Sequence, residues 1–169
     1  MPFWEEIEAH IPNLYRYLLC LTRDTHIADD MTQETILRAW KKLDQLKKET
    51  SFKAWIFQIA RNLAADEHRA SHRLLEFSNQ FDPIAPETSQ PDRQAMLSEN
   101  QQRLHSLIMN LPGRQSEVMY LHAIEGLQLS EIAKTLNISR NSAKVSLCLA
   151  RQKLRSTYDS SQTPSKFDS

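Results

Sequence analysis

The chain has 169 residues, 40% of them hydrophobic, with 21 Lys plus Arg balanced by 21 Asp plus Glu. That length and apolar content suit one moderate domain or two small ones, and the zero net charge is a poor match for a protein that coats nucleic acid indiscriminately. No apolar run approaches the roughly 20 residues needed to span a bilayer, and the first twenty residues carry Glu5, Glu6, Glu8 and Arg16 where a secretory peptide needs an apolar core, so a cytoplasmic protein is expected.

Only two glycines and long periodic apolar stretches favour helices over strands. The expected fold class is all-α, as two small helical domains joined by a flexible linker. The first domain is placed at residues 5–76. Ile11, Leu14, Tyr15, Leu18 and Leu21 form its first apolar stripe, with Pro12 in the opening turn of a helix that starts after a bend at His10. Residues 22–27 are expected to break that helix. The next helix holds Ala28, Met31, Thr35, Leu37 and Trp40, and its outer face presents Asp29, Asp30, Gln33, Glu34 and Arg38. A Lys-rich connection follows over residues 41–50. Ser51 is placed as the N-cap of a third helix through Phe52, Trp55, Ile56, Ile59, Ala60, Leu63 and Ala64 to about His72. Trp40 and Trp55 are expected to serve packing rather than nucleobase stacking.

Residues 77–92, with Pro83, Pro86 and Pro91 among polar residues, cannot sustain a helix and read as a linker. The second domain is placed at 93–158. It opens with a helix carrying Met96, Leu97, Leu104, Leu107 and Ile108, which ends at Leu111, Pro112 and Gly113. An element over residues 115–123 adds Val118, Met119 and Leu121, and Gly126 closes it.

The run LSEIAKTLNISRNSAKVSLCLARQKLR, residues 129–155, has the order of a helix-turn-helix. Leu129, Ile132, Ala133 and Leu136 give the first helix an apolar stripe, and Ser130 is placed near its start as a cap. Asn137 tolerates left-handed angles, so the chain turns there without Gly, Ile138 returns to the core and Ser139 caps the next helix. Ala143, Leu147, Ala150 and Leu154 then align on one face. Arg140, Asn141, Lys144, Cys148, Arg151 and Arg155 occupy the other, with cations for phosphates or guanine edges and an amide suited to adenine. Residues 131–158 hold six basic side chains and one acidic one, so the charge needed for DNA is local. A solvated helical hairpin is the alternative for these residues. Residues 159–169 read as a tail.

Cys20 and Cys148 lie in separate expected helices without a CxxC motif, which fits unpaired thiols; an exposed Cys148 as a redox sensor is the alternative. His68 and His72 form an HxxxH pair without a third placed ligand, so no metal or other cofactor is expected. No catalytic constellation is found.

Several separated motifs then fall in one order. ADDMTQET at residues 28–35 with LRAW at 37–40, FKAWI at 52–56 with IARNLA at 59–64, LPGRQ at 111–115, EGL at 125–127 and EIA at 131–133 together resemble sigma factors of bacterial RNA polymerase. The similarity is to the sigma-70 family's compact extracytoplasmic-function group, over residues 11–158. It implies a dissociable subunit that directs core polymerase to promoters and assists their opening, while the polymerase makes the phosphodiester bond. Asp29, Asp30, Gln33, Glu34, Leu37 and Arg38 would meet the core polymerase. Lys47, Lys48, Lys53, Arg61, Asn62 and Arg69 would serve the downstream promoter element, with Lys41 and Lys42 nearby. Ser139, Arg140, Asn141, Lys144, Cys148, Arg151 and Arg155 would serve the upstream element. An anti-sigma protein is the further partner implied, and Val145 and Leu149 beside the cations suit its burial. Ser146 and Leu149 stand where relatives often carry Arg, and Cys148 where His is frequent, which implies a weaker phosphate grip or altered base preference. A stand-alone helix-turn-helix regulator and a protein-interaction module derived from this fold are the other two readings.

Overall fold

The computed structural model describes residues 2–75 and 97–162. The chain divides into two units, the first made mainly of residues up to 96 and the second mainly of residues from 97 on. Described residues are helical or irregular, with no strand among them.

Three mutually packed helices build the first unit: α1 (Phe3–Thr22), α2 (Thr25–Lys41) and α3 (Phe52–Leu75), with a 3₁₀ turn at Leu43–Gln45. Ile7, Leu14, Tyr17 and Leu18 of α1, Ala28, Thr35 and Ala39 of α2, and Ile56, Phe57 and Ala60 of α3 are fully buried. The expected bend at His10 is absent, because α1 is one helix with Pro12 inside it. An interior proline costs a helix roughly 3 kcal/mol. Phe3 and Ile7 before it and Leu14, Tyr15 and Leu18 after it bury one continuous stripe, and that burial outweighs the lost bond.

The break after α1 is shorter than the six residues expected. Arg23 takes the left-handed region at φ 55, its N–H donating to Leu19 O at 2.9 Å, and Asp24 at once caps α2 by accepting from Ile27 N–H at 2.9 Å. Ile27 is therefore helical. Ser51 caps α3 as expected, its Oγ accepting from Ala54 N–H at 3.1 Å.

The second unit runs α4 (Glu99–Met109), α5 (Gly113–Met119), a wider π turn at Tyr120–Ile124, α6 (Leu129–Leu136) and α7 (Arg140–Gln162). Leu97 precedes α4 instead of lying in it, and Met96 lies outside the described residues. The start is set by a capping box: Gln101 N–H donates to Ser98 Oγ while Gln101 Oε1 accepts from Ser98 N–H. Gly113 opens α5 instead of ending α4, with Pro112 before it. α5 packs on α7. Gly126, at φ 69, turns the chain out of the π segment, and this left-handed angle is one that glycine adopts without strain. α7 overruns the expected domain end at residue 158 by four residues. The linker at 77–92 and the tail from 163 lie outside the described residues.

Candidate functional site

In the first unit the surface of interest is the outer side of α2. Its inner side uses small or self-satisfied groups: Ala28 and Ala39 are buried, and the buried hydroxyls of Thr32 and Thr35 donate to Ala28 O (2.7 Å) and Met31 O (2.6 Å). No polar group need be left unpaired for α2 to sit on the core. The opposite side therefore carries the charge. Asp30 and Gln33 are exposed, Asp29 is half-buried, and Arg38 Nε donates to Glu34 Oε1 at 2.7 Å. Ile27, Asp30, Met31 and Glu34 of α2 join Leu63 and Glu67 of α3 around an open recess of about 250 Å³, with an apolar floor and an acidic rim. The sequence assigns neither Leu63 nor Glu67 to such a surface. Their spacing of four places them on one face of α3, but nothing in it tells that this face meets α2.

Leu37 lies one turn beyond Gln33 and is 51% exposed. Trp40 departs from the packing expected of it. It falls one residue past the buried Ala39, turned out of the core, and is 50% exposed; its ring stacks on exposed Trp4 with centroids 5.4 Å apart. Trp55 is half-buried against Phe52.

The six residues assigned to the downstream element are not gathered into one track. Lys47 and Lys48 are exposed on a turn closed by Thr50 N–H donating to Lys47 O. Lys53 is half-buried in the first turn of α3. Asn62 and Arg69, seven residues apart, share a face of α3, whereas Lys53 lies about two and a half turns before Asn62 and so on the other side. Arg69 is paired with Asp66, and Arg61 is half-buried.

The corner of the second unit has the geometry expected from its residues, and more. Asn137 has φ 53, its N–H donates to Lys134 O at 3.3 Å, and Ile138 N–H donates to Ala133 O at 3.0 Å. This pair of bonds is a Schellman motif with Asn in the glycine position. Ile138 folds back to a half-buried position. Ser139 Oγ accepts from Ser142 N–H at 3.0 Å and caps α7. The start of α6 differs from expectation: Glu131 reaches back to accept from Gln128 N–H at 2.9 Å, so the acidic side chain takes the capping part assigned to Ser130.

Ala143, Leu147 and Ala150 are buried beneath α7, with Leu154 half-buried. Ser139, Arg140, Asn141, Lys144, Cys148, Arg151 and Arg155 line its outer side, all of them exposed. Along α7, Arg140, Lys144, Cys148, Arg151 and Arg155 follow one another at spacings of three or four, so the helix brings them onto one side. Val145 and Leu149, 49% and 44% exposed, form the neighbouring stripe. His122, in the π turn, was not foreseen: its Nε2 lies 3.2 Å from an Arg151 terminal nitrogen.

Cys20 is buried in α1 and Cys148 exposed on α7, and no disulfide joins them. Among the described residues there is no group of three or more potential metal ligands. The side chain of His72, the second half of the HxxxH pair, lies outside the described residues. No described helix is long and apolar enough to cross a membrane.

These features define an all-helical protein of the helix-turn-helix class, with one acidic and one cationic helix face on different units. The family models for "Sigma-70 region 2" and "Sigma-70, region 4" match residues 7–74 and 101–154. An ECF RNA polymerase sigma factor, SigM of Bacillus subtilis, is 29% identical over 92% of this chain and 94% of its own length. EcfG of Rhodopseudomonas palustris is 30% identical over 89% of this chain and 81% of its own length. A probable sigma factor of Xanthomonas campestris, RfaY, is 34% identical over 81% of this chain, which matches 35% of that longer protein. The fold is also that of RpoE from Bartonella quintana, solved in complex with the anti-sigma factor NepR, at TM-score 0.75 and 23% identity over 93% of this chain and 96% of that one. The chain belongs to the extracytoplasmic-function group of the sigma-70 family of RNA polymerase sigma factors. Members of that family are non-catalytic subunits.

Proposed function

We propose that this chain is a dissociable sigma subunit that brings bacterial core RNA polymerase to specific promoters and assists in opening them. The outer face of α2, with Asp29, Asp30, Gln33, Glu34, Leu37 and Arg38, docks on the core enzyme; charge sets its orientation and the exposed Leu37 supplies apolar area. α7 lies in the major groove of the upstream element, with Ser139, Arg140, Asn141, Lys144, Cys148, Arg151 and Arg155 toward the duplex. Lys47, Lys48, Lys53, Arg61, Asn62 and Arg69 supply separate contacts to the downstream element, where extruding a base costs a few kcal/mol that protein contacts offset. An anti-sigma protein covering the exposed Val145 and Leu149 is the regulatory partner this reading carries.

The observation that carries the reading is the cationic side of α7, exposed along its length and held directly after a capped, left-handed corner. The acidic face of α2 has its own test. Asp30→Lys combined with Gln33→Lys reverses the local field, and co-purification of the full chain with core polymerase is expected to fall at least tenfold. Retention equal to wild type would remove α2 from the docking surface.

A further inference from the structure

His122 is fixed by two neighbours of opposite hydrogen-bonding character. Its Nδ1 lies 3.3 Å from Leu127 O, and its Nε2 lies 3.2 Å from the Arg151 terminal nitrogen. A carbonyl oxygen only accepts and a guanidinium only donates. One form of the ring satisfies both: neutral imidazole with the proton on Nδ1, donating to Leu127 O, and the Nε2 lone pair accepting from Arg151. The frame behind the ring is itself fixed. Gly126 takes its left-handed angle, Gly126 N–H donates to His122 O at 3.2 Å, and Leu127 N–H donates to Leu121 O at 3.0 Å, which brings the Leu127 carbonyl to the ring.

Arg151 sits at the middle of α7, on the same side as Lys144 and Arg155. A free Arg on an exposed helix face samples many rotamers, and holding it on a ligand loses that freedom. We propose that His122 is a positioning residue for the DNA surface: it orders the Arg151 guanidinium before the duplex arrives, leaving the remaining donors of the fork for a phosphate or a guanine edge. The inference rests on the reading of α7 as the promoter-reading helix. It adds to that helix a residue 29 positions earlier in the chain, in an element that does not itself carry the cationic face.

The test uses the full chain bound to core polymerase and the duplex most enriched from a randomised pool by the wild-type assembly. Dissociation constants are compared for wild type, Arg151→Ala, His122→Leu, His122→Gln and the His122→Leu/Arg151→Ala double variant, with thermal melts confirming that each is folded. Glutamine carries an amide NH2 that donates and a carbonyl oxygen that accepts, and so offers both roles of the neutral ring. The expected result is that Arg151→Ala and His122→Leu each weaken binding about threefold to tenfold, the scale of one hydrogen bond. His122→Gln stays within about twofold of wild type, and the double variant is no weaker than Arg151→Ala alone. If Arg151→Ala binds like wild type, the assignment of Arg151 to DNA fails, and the positioning role with it. If Arg151→Ala weakens binding but His122→Leu does not, or His122→Gln is as weak as His122→Leu, the positioning role alone is overturned.

Discussion

Asn137 carries the helix-turn-helix corner on one backbone torsion. At φ 53 a side chain other than Asn, Asp or Gly costs roughly 1–2 kcal/mol, and a β-branched one costs most. Asn137→Gly is therefore expected to leave the thermal midpoint of the chain unchanged or slightly raised, and Asn137→Val to lower it by several degrees; equal midpoints for the two variants would contradict the strained corner. Asn137 was legible in the sequence because its chemistry and its place between two apolar stripes agree. Arg23 was not, since a left-handed Arg has no such signature; its angle follows from the Leu19 carbonyl it satisfies and from Asp24 restarting the chain.

His10 provides a second residue-scale test. Burial holds its imidazole below the ordinary 6.5, the neighbouring Lys53 charge adds to the depression and Glu6 opposes it. The unfolded chain therefore binds a proton at a pH where the folded chain does not. Stability from this site is complete above about pH 6.5 and falls as pH drops through the lower folded value. All three tryptophans, Trp4, Trp40 and Trp55, lie in the first unit, so their fluorescence reports urea unfolding of that unit alone. The urea midpoint is expected to fall more steeply from pH 7.5 to pH 5 in wild type than in His10→Gln. Parallel pH dependences would show that His10 does not contribute.

At the scale of the element, α7 was legible almost throughout, because a buried row at spacings of four, three and four fixes which side faces out. It runs four residues past the domain end expected at 158, since the polar stretch after Tyr158 has no apolar periodicity to mark it as helix. α2 shows where such reading stops. The line of Ala28, Thr35 and Ala39 placed its charged residues outward, but whether Trp40 turned in or out depended on Trp4, a partner on another helix. Pro12 fails for a related reason: local propensity argues for a break, and burial on both sides overrides it.

The exposed cations of α7 also make a quantitative prediction. Lys144→Ala is expected to reduce the slope of log affinity against log salt for duplex DNA by about 0.9, the release of one condensed counterion. An unchanged slope would take Lys144 off the phosphate track. Ser146, Cys148 and Leu149 add no cation to α7, so the wild-type slope is expected to be shallow. Mixed-site selection repeated at several salt concentrations measures both quantities.

For the molecule as a whole, two helical units carry separate surfaces of different charge although the net charge of the chain is zero. α2 carries Asp29, Asp30 and Glu34 against Arg38 and Lys41, whereas α7 carries five cations and one acidic residue, Asp159. The order of the motifs along the chain revealed this division more reliably than composition did. The spatial grouping of the residues assigned to the downstream element was not legible, because Lys53 lies on the other side of α3 from Asn62 and Arg69, and charge counted along a sequence does not report direction. Linking the two surfaces is a matter of function, and one measurement addresses it directly: run-off transcription by core polymerase with and without the purified chain, on the duplex fragments it selects. The account predicts discrete transcripts only when the chain is present, lost in a variant with Arg140, Lys144 and Arg151 all changed to Ala. Selective duplex binding without any chain-dependent transcript, or start sites unaffected by that triple change, would contradict it.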